Sequence, residues 1–428
     1  MNQFIYLLPF GVFIAVFLGS GLLLNDFYAV PAPVAALCGV VSAFLMPKFN
    51  FKQKISFFLK GCGDKNILTM CLIFLLAGAF AVVSKSVGSV DAIVSFGVQY
   101  LSPKYIPVGV FLIASFLAIS AGTSVGTIVA LSPIVFGLAE SLGISYSLVG
   151  AALLCGAMFG DNLSFISDTT IASTQTMHCK MKDKFRANVK IALPASFISV
   201  LIFIYLGSEI PVHSLEIPPM KEVSFWLILP YLLVILLAGF GVNVFLVLLL
   251  GILFSGMIGI VQGSLSGLAF TQKIYEGFAG MNDIFLLALF TGGLAGMVEN
   301  MGGIRYLLSK AKTFVKGKRS AYFSMGFLVA LADIAVANNT IAIVLTGKVA
   351  RKISQENDLN PRLSASVLDV FSCIAQGLIP YGAQMLILIE LSGNKADYFT
   401  MLGHMWYLYF LLVFSVVFIL LPKNKNIE

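Results

Sequence analysis

Residues 160–170 read Gly-Asp-Asn-Leu-Ser-Phe-Ile-Ser-Asp-Thr-Thr. Two carboxylates, Asp161 and Asp168, lie there beside the hydroxyls of Ser164, Ser167, Thr169 and Thr170 and the amide of Asn162. Oxygens of these kinds are hard ligands, suited to sodium and unsuited to soft metals. A carboxylate in a low dielectric gives up its charge readily, so a proton and a metal cation can compete for it. That competition is the simplest chemistry for exchanging a cation against protons. On an unbroken helix Asp161 and Asp168 share one face; across an interrupted helix they converge from two ends. The plainer alternative is a water-exposed loop between two helices.

The surrounding chain is 59% hydrophobic and 11% charged, with a mean hydropathy of +0.96. Soluble proteins carry about 25% charged residues, so the class expected is an all-α polytopic membrane protein. Ionisable groups inside such a chain are costly and mark functional sites by default. The net charge of +7 does not imply nucleic acid, because the basic residues sit in short loops between apolar runs, as membrane orientation requires. The six cysteines have no metal-ligand spacing; Cys62 and Cys179 are expected as reduced thiols in cytoplasmic loops. The run 4–24 lacks a basic leader region and a small-residue cleavage site, and reads as a retained first helix.

The apolar runs are 4–24, 28–47, 67–84, 105–137, 148–176, 187–207, 223–240, 242–262, 281–301, 320–350, 363–392 and 399–421. Most match the roughly 20 residues that span a bilayer. The runs 105–137, 148–176, 320–350 and 363–392 are longer and carry polar or helix-breaking residues at their centres. Loops 47–66 and 177–190 each carry five basic residues, among them Lys54 and Lys184, and should both be cytoplasmic. Three runs separate them, and an odd number of crossings breaks the positive-inside rule. A re-entrant hairpin over 105–137, turning at 121–127, removes the conflict. Its limbs of about 16 and 11 residues suit half-depth insertion. A second hairpin over 320–350 then enters from the cytoplasm. On this topology 22 of 27 basic residues and both termini lie inside. The architecture expected is ten spanning helices plus two re-entrant hairpins, with broken helices at the midplane.

The chain divides on this reading into a first transmembrane helix (1–27), repeat 1 (28–207), a linking loop and helix (208–241), repeat 2 (242–421) and a cytoplasmic tail (422–428). Thr127-Ile-Val-Ala-Leu pairs with Thr340-Ile-Ala-Ile-Val at a spacing of 213, and Asp161 pairs with Gln376 at 215. Inverted-topology repeats with discontinuous helices are a signature of secondary transporters with midplane sites. The hairpin tips offer Thr123, Ser124 and Thr127, and Asn338, Asn339 and Thr340. Substrate binding by these groups and by helix N-termini is expected; the alternative is close packing through small side chains. In the second half Asp333, Asp369, Gln376, Tyr381 and Gln384 are expected to face the same cavity, with polar bridging between helices as the alternative for the two aspartates. Glu299 and Glu390 sit near span ends, and His178, His213 and His404 join no cluster.

Thr123-Ser-Val-Gly-Thr127, followed by the 160–170 run, resembles the NhaC-type sodium/proton antiporter family of the wider ion-transporter superfamily. The resemblance spans nearly the whole chain. It implies a bacterial inner-membrane carrier whose cation site is lined by Asp161, Ser164, Ser167, Asp168, Thr169 and Thr170, with Asp161 and Asp168 as sodium ligands. Phe165 stands where that family usually has proline, which bears on the geometry of the break.

The function expected is sodium/proton antiport by alternating access, cation and proton competing at Asp161/Asp168. The alternative is a sodium- or proton-coupled carrier of an amino acid or small organic acid. No enzymatic activity is expected, since an intramembrane aspartyl protease needs a Gly-x-Gly-Asp pattern at its buried aspartate, where this chain has Met158-Phe-Gly-Asp161, and a Tyr-Asp dipeptide, which the sequence lacks. No cofactor is expected beyond sodium and protons as transported or coupling ions. The partners expected are membrane lipid, those ions and, in the alternative, a small amino or organic acid; no nucleic acid is expected, and a homodimer is the oligomer considered.

Overall fold

The computed structural model describes residues 3–24, 30–47, 49–100, 102–210, 225–303, 306 and 314–421. Lys48, Lys221, Arg305, Lys310, Lys312 and the tail at 422–428 lie outside the described residues. Every regular element among the described residues is a helix. Among the described residues ten helices are long and apolar enough to cross a membrane. Seven coincide with the expected spans; the other three, Pro103–Ala121, Ser124–Leu142 and Lys318–Val336, are limbs of the two hairpins. The runs 28–47, 223–240 and 399–421 give shorter apolar helices, Ala32–Leu45, Trp226–Gly239 and Trp406–Leu420.

The second limb of the first hairpin is longer than the sequence suggests. It runs through Pro133 to Leu142, 19 residues, or about 28 Å at 1.5 Å per residue. That length rivals the hydrocarbon core rather than half of it. The helix stops at Gly143, which takes a left-handed φ of 59°, not at the polar residues before it.

Both hairpins turn in the same way. Gly122 (φ 69°, ψ 26°) and Ala337 (φ 52°, ψ 33°) take left-handed backbone, followed by Thr123 and Asn338, both at φ −152°. The Thr123 hydroxyl accepts from Gly126 N–H (3.3 Å), and the Asn338 side-chain Oδ1 accepts from Ile341 N–H (2.9 Å), so each caps the second limb. Two helices are interrupted alike. Tyr146–Leu163 ends at Ser164 (φ −73°, ψ 138°) and restarts after Ser167 (φ −63°, ψ 140°). Pro361–Leu378 ends at Ile379 (φ −74°, ψ 135°) and restarts after Gly382 (φ −68°, ψ 143°). All four pairs, 122/337, 123/338, 164/379 and 167/382, stand 215 residues apart. The turning pair is thus Thr123/Asn338 and not Thr127/Thr340, whose spacing is 213. Thr and Asn do the same capping job while looking unlike in sequence.

Glycine sets the closest helix approaches. A Cβ on Gly156 would meet the Phe111 carbonyl oxygen at 2.3 Å, and one on Gly160 the Ser115 oxygen at 2.4 Å. These two small residues, one turn apart, lay Tyr146–Leu163 directly on the first limb of the first hairpin. Gly78 and Gly277 meet in the same backbone-to-backbone fashion. At Gly122 a Cβ would strike Ile166 at 2.7 Å, so the hairpin tip abuts the helix break.

Candidate functional site

The site begins with the backbone freed at the break. With no helical N–H to meet it, the Asn162 carbonyl accepts from Lys184 Nζ (3.1 Å) and Asn188 Nδ2 (2.8 Å). Ser164 Oγ donates to the Ile119 carbonyl (2.8 Å), and Thr170 Oγ1 donates to the Ser164 carbonyl (2.9 Å). The break is therefore held open without proline at 165. Phe165 instead stacks on Phe185, ring centroids 4.4 Å apart, on helix Met181–Ser208.

Lys184 is 1% exposed, and its ammonium divides three ways: to the Asn162 carbonyl, to Thr170 Oγ1 (2.6 Å) and to Asp369 Oδ2 (2.8 Å). Asn188, one turn on, donates to the same Asp369 oxygen (2.7 Å) and accepts from Ser366 Oγ (2.6 Å). Asn162 turns its amide to Tyr407 OH (2.9 Å) and Cys373 Sγ (3.2 Å). Together these groups tie five helices around the break.

On the other side of the break lies Asp161, 6% exposed. Its Oδ1 accepts from Ser167 Oγ (2.6 Å), across the break, and its Oδ2 accepts from Ser124 Oγ (3.2 Å), at the hairpin tip. Ser124 in turn accepts from Gln384 Nε2 (3.1 Å), and Gln384 accepts from Gln376 Nε2 (2.8 Å). The Ser167 and Thr169 hydroxyls are 3.0 Å apart. A continuous polar chain thus runs from the break in the second half to the carboxylate in the first.

These groups face a cavity of about 660 Å³, its solvent-open part included, which Asp161, Ser167, Asp168 and Thr169 line from the first break. The hairpin tips supply Thr123, Ser124, Asn338, Asn339 and Thr340, and the second break supplies Gln376 and Gln384. Asp168 is exposed within it, on the first turn of helix Asp168–Met177. Ser164, Thr170 and Asn162 stand behind the wall in the bonds described above. Thr127 turns back to the Thr123 carbonyl (2.9 Å). Asp369 belongs to the Lys184 pair, and Tyr381 donates to the Ile334 carbonyl (2.7 Å) while packing on Phe13 and Phe17. Asp333 is fully buried away from the cavity.

Sequence reasoning missed Asn66, Thr69 and Met70, which helix Lys65–Val87 adds to the lining. Their spacing on one helical face was the available signal. Four helix N-termini, at Ser124, Asp168, Asn339 and Ala383, begin around the cavity, and their partial positive ends favour negative charge nearby. Among the described residues no three of His, Cys, Asp and Glu converge as metal ligands. A shell around Asp161 would be completed by hydroxyl and amide oxygens.

The malate-2H(+)/Na(+)-lactate antiporter of Bacillus subtilis is 22% identical over 400 residues, 86% of this chain and 85% of that protein. The Na(+)/H(+) antiporter NhaC of the same organism is 23% identical over 349 residues, 75% of this chain and 76% of its own length. The arginine/ornithine antiporter ArcD of Halobacterium salinarum is 22% identical over 401 residues, covering 86% of this chain and 82% of itself. The model of the Na+/H+ antiporter family matches residues 1–208 and 212–422. This multi-pass membrane protein belongs to the Na+/H+ antiporter family.

Proposed function

We propose that the chain is a secondary active transporter that exchanges sodium for protons, with the two ions competing at Asp161. The observation that carries this is the placement of Asp161: buried, on the cavity wall, and held by one hydroxyl from the hairpin tip and one from beyond the helix break. Hydroxyls donate or accept as required. With a proton absent, Ser124 and Ser167 donate to the carboxylate. With sodium bound, both can rotate and offer lone pairs to the cation beside it. Asp168 at the cavity's exposed edge draws cations towards that site.

Alternating access follows on this reading from movement of the hairpin tips against the broken helices. The 215-residue recurrence supports two repeats, and the basic loops support their opposite orientation in the membrane, with both termini in the cytoplasm of a bacterial cell. Opposed orientation is the arrangement whose two halves exchange roles when the site switches sides.

A second reading, a cation-coupled carrier of an amino or organic acid, draws on the cavity's amides, Asn66, Asn338 and Asn339, and on the organic substrates in the names of two relatives. One experiment separates the readings. In proteoliposomes holding a pH-sensitive dye, sodium should dequench the dye with wild-type protein and not with Asp161→Asn. Wild-type protein that gives no sodium response, yet takes up a labelled amino or organic acid down a sodium gradient, would overturn the antiport reading.

A further inference from the structure

Three carboxylates lie within electrostatic reach of the Cys373 thiol: Asp161, Asp369 and Asp333. Asp161 has two hydroxyl donors, and Asp369 has Lys184 and Asn188. Asp333 has 0% exposure, and neither of its carboxylate oxygens has a hydrogen-bond partner among the described residues. It sits on helix Lys318–Val336, where its own carbonyl closes the last turn onto Ala337 N–H (2.7 Å), just before the second hairpin's tip. The facing helix Pro361–Leu378 carries Asp369, Cys373 and Gln376 at positions i, i+4 and i+7, one face of a helix. Asp369 Oδ1 and Gln376 Oε1 are also buried acceptors without a donor.

The titratable groups on the surrounding elements supply no cation. Tyr381 donates to the Ile334 carbonyl, Tyr407 accepts from Asn162, and the Lys184 ammonium is committed to Asp369. Glu299, Lys348, Arg351, Lys352 and Glu356 are exposed. An ionised carboxylate with no partner in a dry interior is far costlier than a neutral acid. A group placed so deep, with so many acceptors and so few donors around it, is built to hold a proton.

We propose that Asp333 is a second proton carrier of the exchange. It holds its proton as a neutral carboxylic acid in this conformation and releases it to water when the second hairpin moves. The carboxylate left behind takes its next proton from the opposite side. Asn338, five residues on, already lines the cavity, so displacement of that tip is the movement that wets Asp333. The consequence is more than one proton per sodium ion, and hence net charge movement. This rests on the sodium/proton reading above.

Liposomes containing wild-type protein and loaded with radiolabelled sodium should release it faster when valinomycin and a potassium gradient make the interior negative. With Asp333→Asn, efflux should persist and lose that dependence on potential. An electroneutral wild type, or an Asp333→Asn variant with wild-type potential dependence, overturns the proposal. If Asp333→Asn does not transport, infrared spectra of the purified proteins decide. The carbonyl stretch of a buried carboxylic acid should be present in Asp161→Asn and missing from the Asp161→Asn/Asp333→Asn double variant; its undiminished survival in the double variant overturns the assignment. Wild-type protein that exchanges no sodium for protons defeats the earlier reading instead, and the infrared band still tests Asp333 by itself.

Discussion

Lys184 and Asp369 provide the sharpest test of how the broken helix is held. Both are 1% exposed and meet at 2.8 Å. Lys184→Met removes the ammonium and leaves Asp369 as an uncompensated charge beside Asn188. Removing one partner of a buried pair costs about 3–5 kcal/mol. Asp369→Asn strands the ammonium and should cost a similar amount. The double variant leaves no lone charge, so it should recover most of the loss. The shortfall should be roughly 1–2 kcal/mol, for the bonds from Lys184 to the Asn162 carbonyl and Thr170 Oγ1. The temperature shift per unit of stability shrinks with chain length, and for 428 residues it is about 1–2 °C per kcal/mol. Each single variant should therefore melt roughly 3–10 °C below wild type, and the double variant about 1–4 °C below it, less than half the loss of either single. Thermal unfolding of the purified protein in detergent measures all four species of the cycle. A Lys184→Met variant that melts with the wild type, or a double variant as unstable as the singles, would refute the reasoning.

Two other outcomes are expected. Gly160→Leu forces a side chain into the Ser115 carbonyl, whose backbone cannot swing aside, and should cost about 1–3 kcal/mol or more; Gly109→Leu, with nothing within 4 Å of its Cβ, should melt with the wild type, and equal melting temperatures for the two variants would contradict the packing. Burial, with Asp183 adding to it, pushes the Cys179 thiol up to about 11. Since the thiolate is the nucleophile, labelling of Cys179 by a maleimide, read on a variant whose other cysteines are replaced by serine, should be slow at pH 7 and quicken as the pH rises; rapid labelling at pH 7 would count against its burial.

The cavity wall was readable where polar groups interrupt apolar runs. Asp161, Ser167 and Thr169, and the residues at both hairpin tips, announced themselves because hydroxyls and carboxylates have no other business in a membrane span. Lys184 did not, because Lys180, Lys182 and Arg186 around it make it look like one more loop charge. Its distinguishing mark is periodic. Lys184, Asn188, Ile191, Ala195, Ser199 and Phe203 recur on the buried face of helix Met181–Ser208, so the inward stripe begins with a lysine. The first hairpin's second limb outruns the apolar run that ends at 137 because Glu140 interrupts the hydropathy, whereas only Gly143 supplies the backbone that stops the helix. The register of the tips went astray by two residues because identical threonines are easier to align than a threonine and an asparagine sharing one capping role.

Gly160 precedes Asp161 directly, and its contact with Ser115 is backbone on backbone. The carboxylate's anchor is thereby locked to the first hairpin limb, and only the two-residue turn at Gly122 and Thr123 separates that limb from Ser124, its partner hydroxyl. The separation of the two backbones that carry carboxylate and hydroxyl is consequently set by touching main chains. If the proposed site holds the cation, a larger ion that needs those backbones further apart must separate a pair of helices already in contact. Selectivity by ionic radius would then reside in a glycine that offers no ligand of its own.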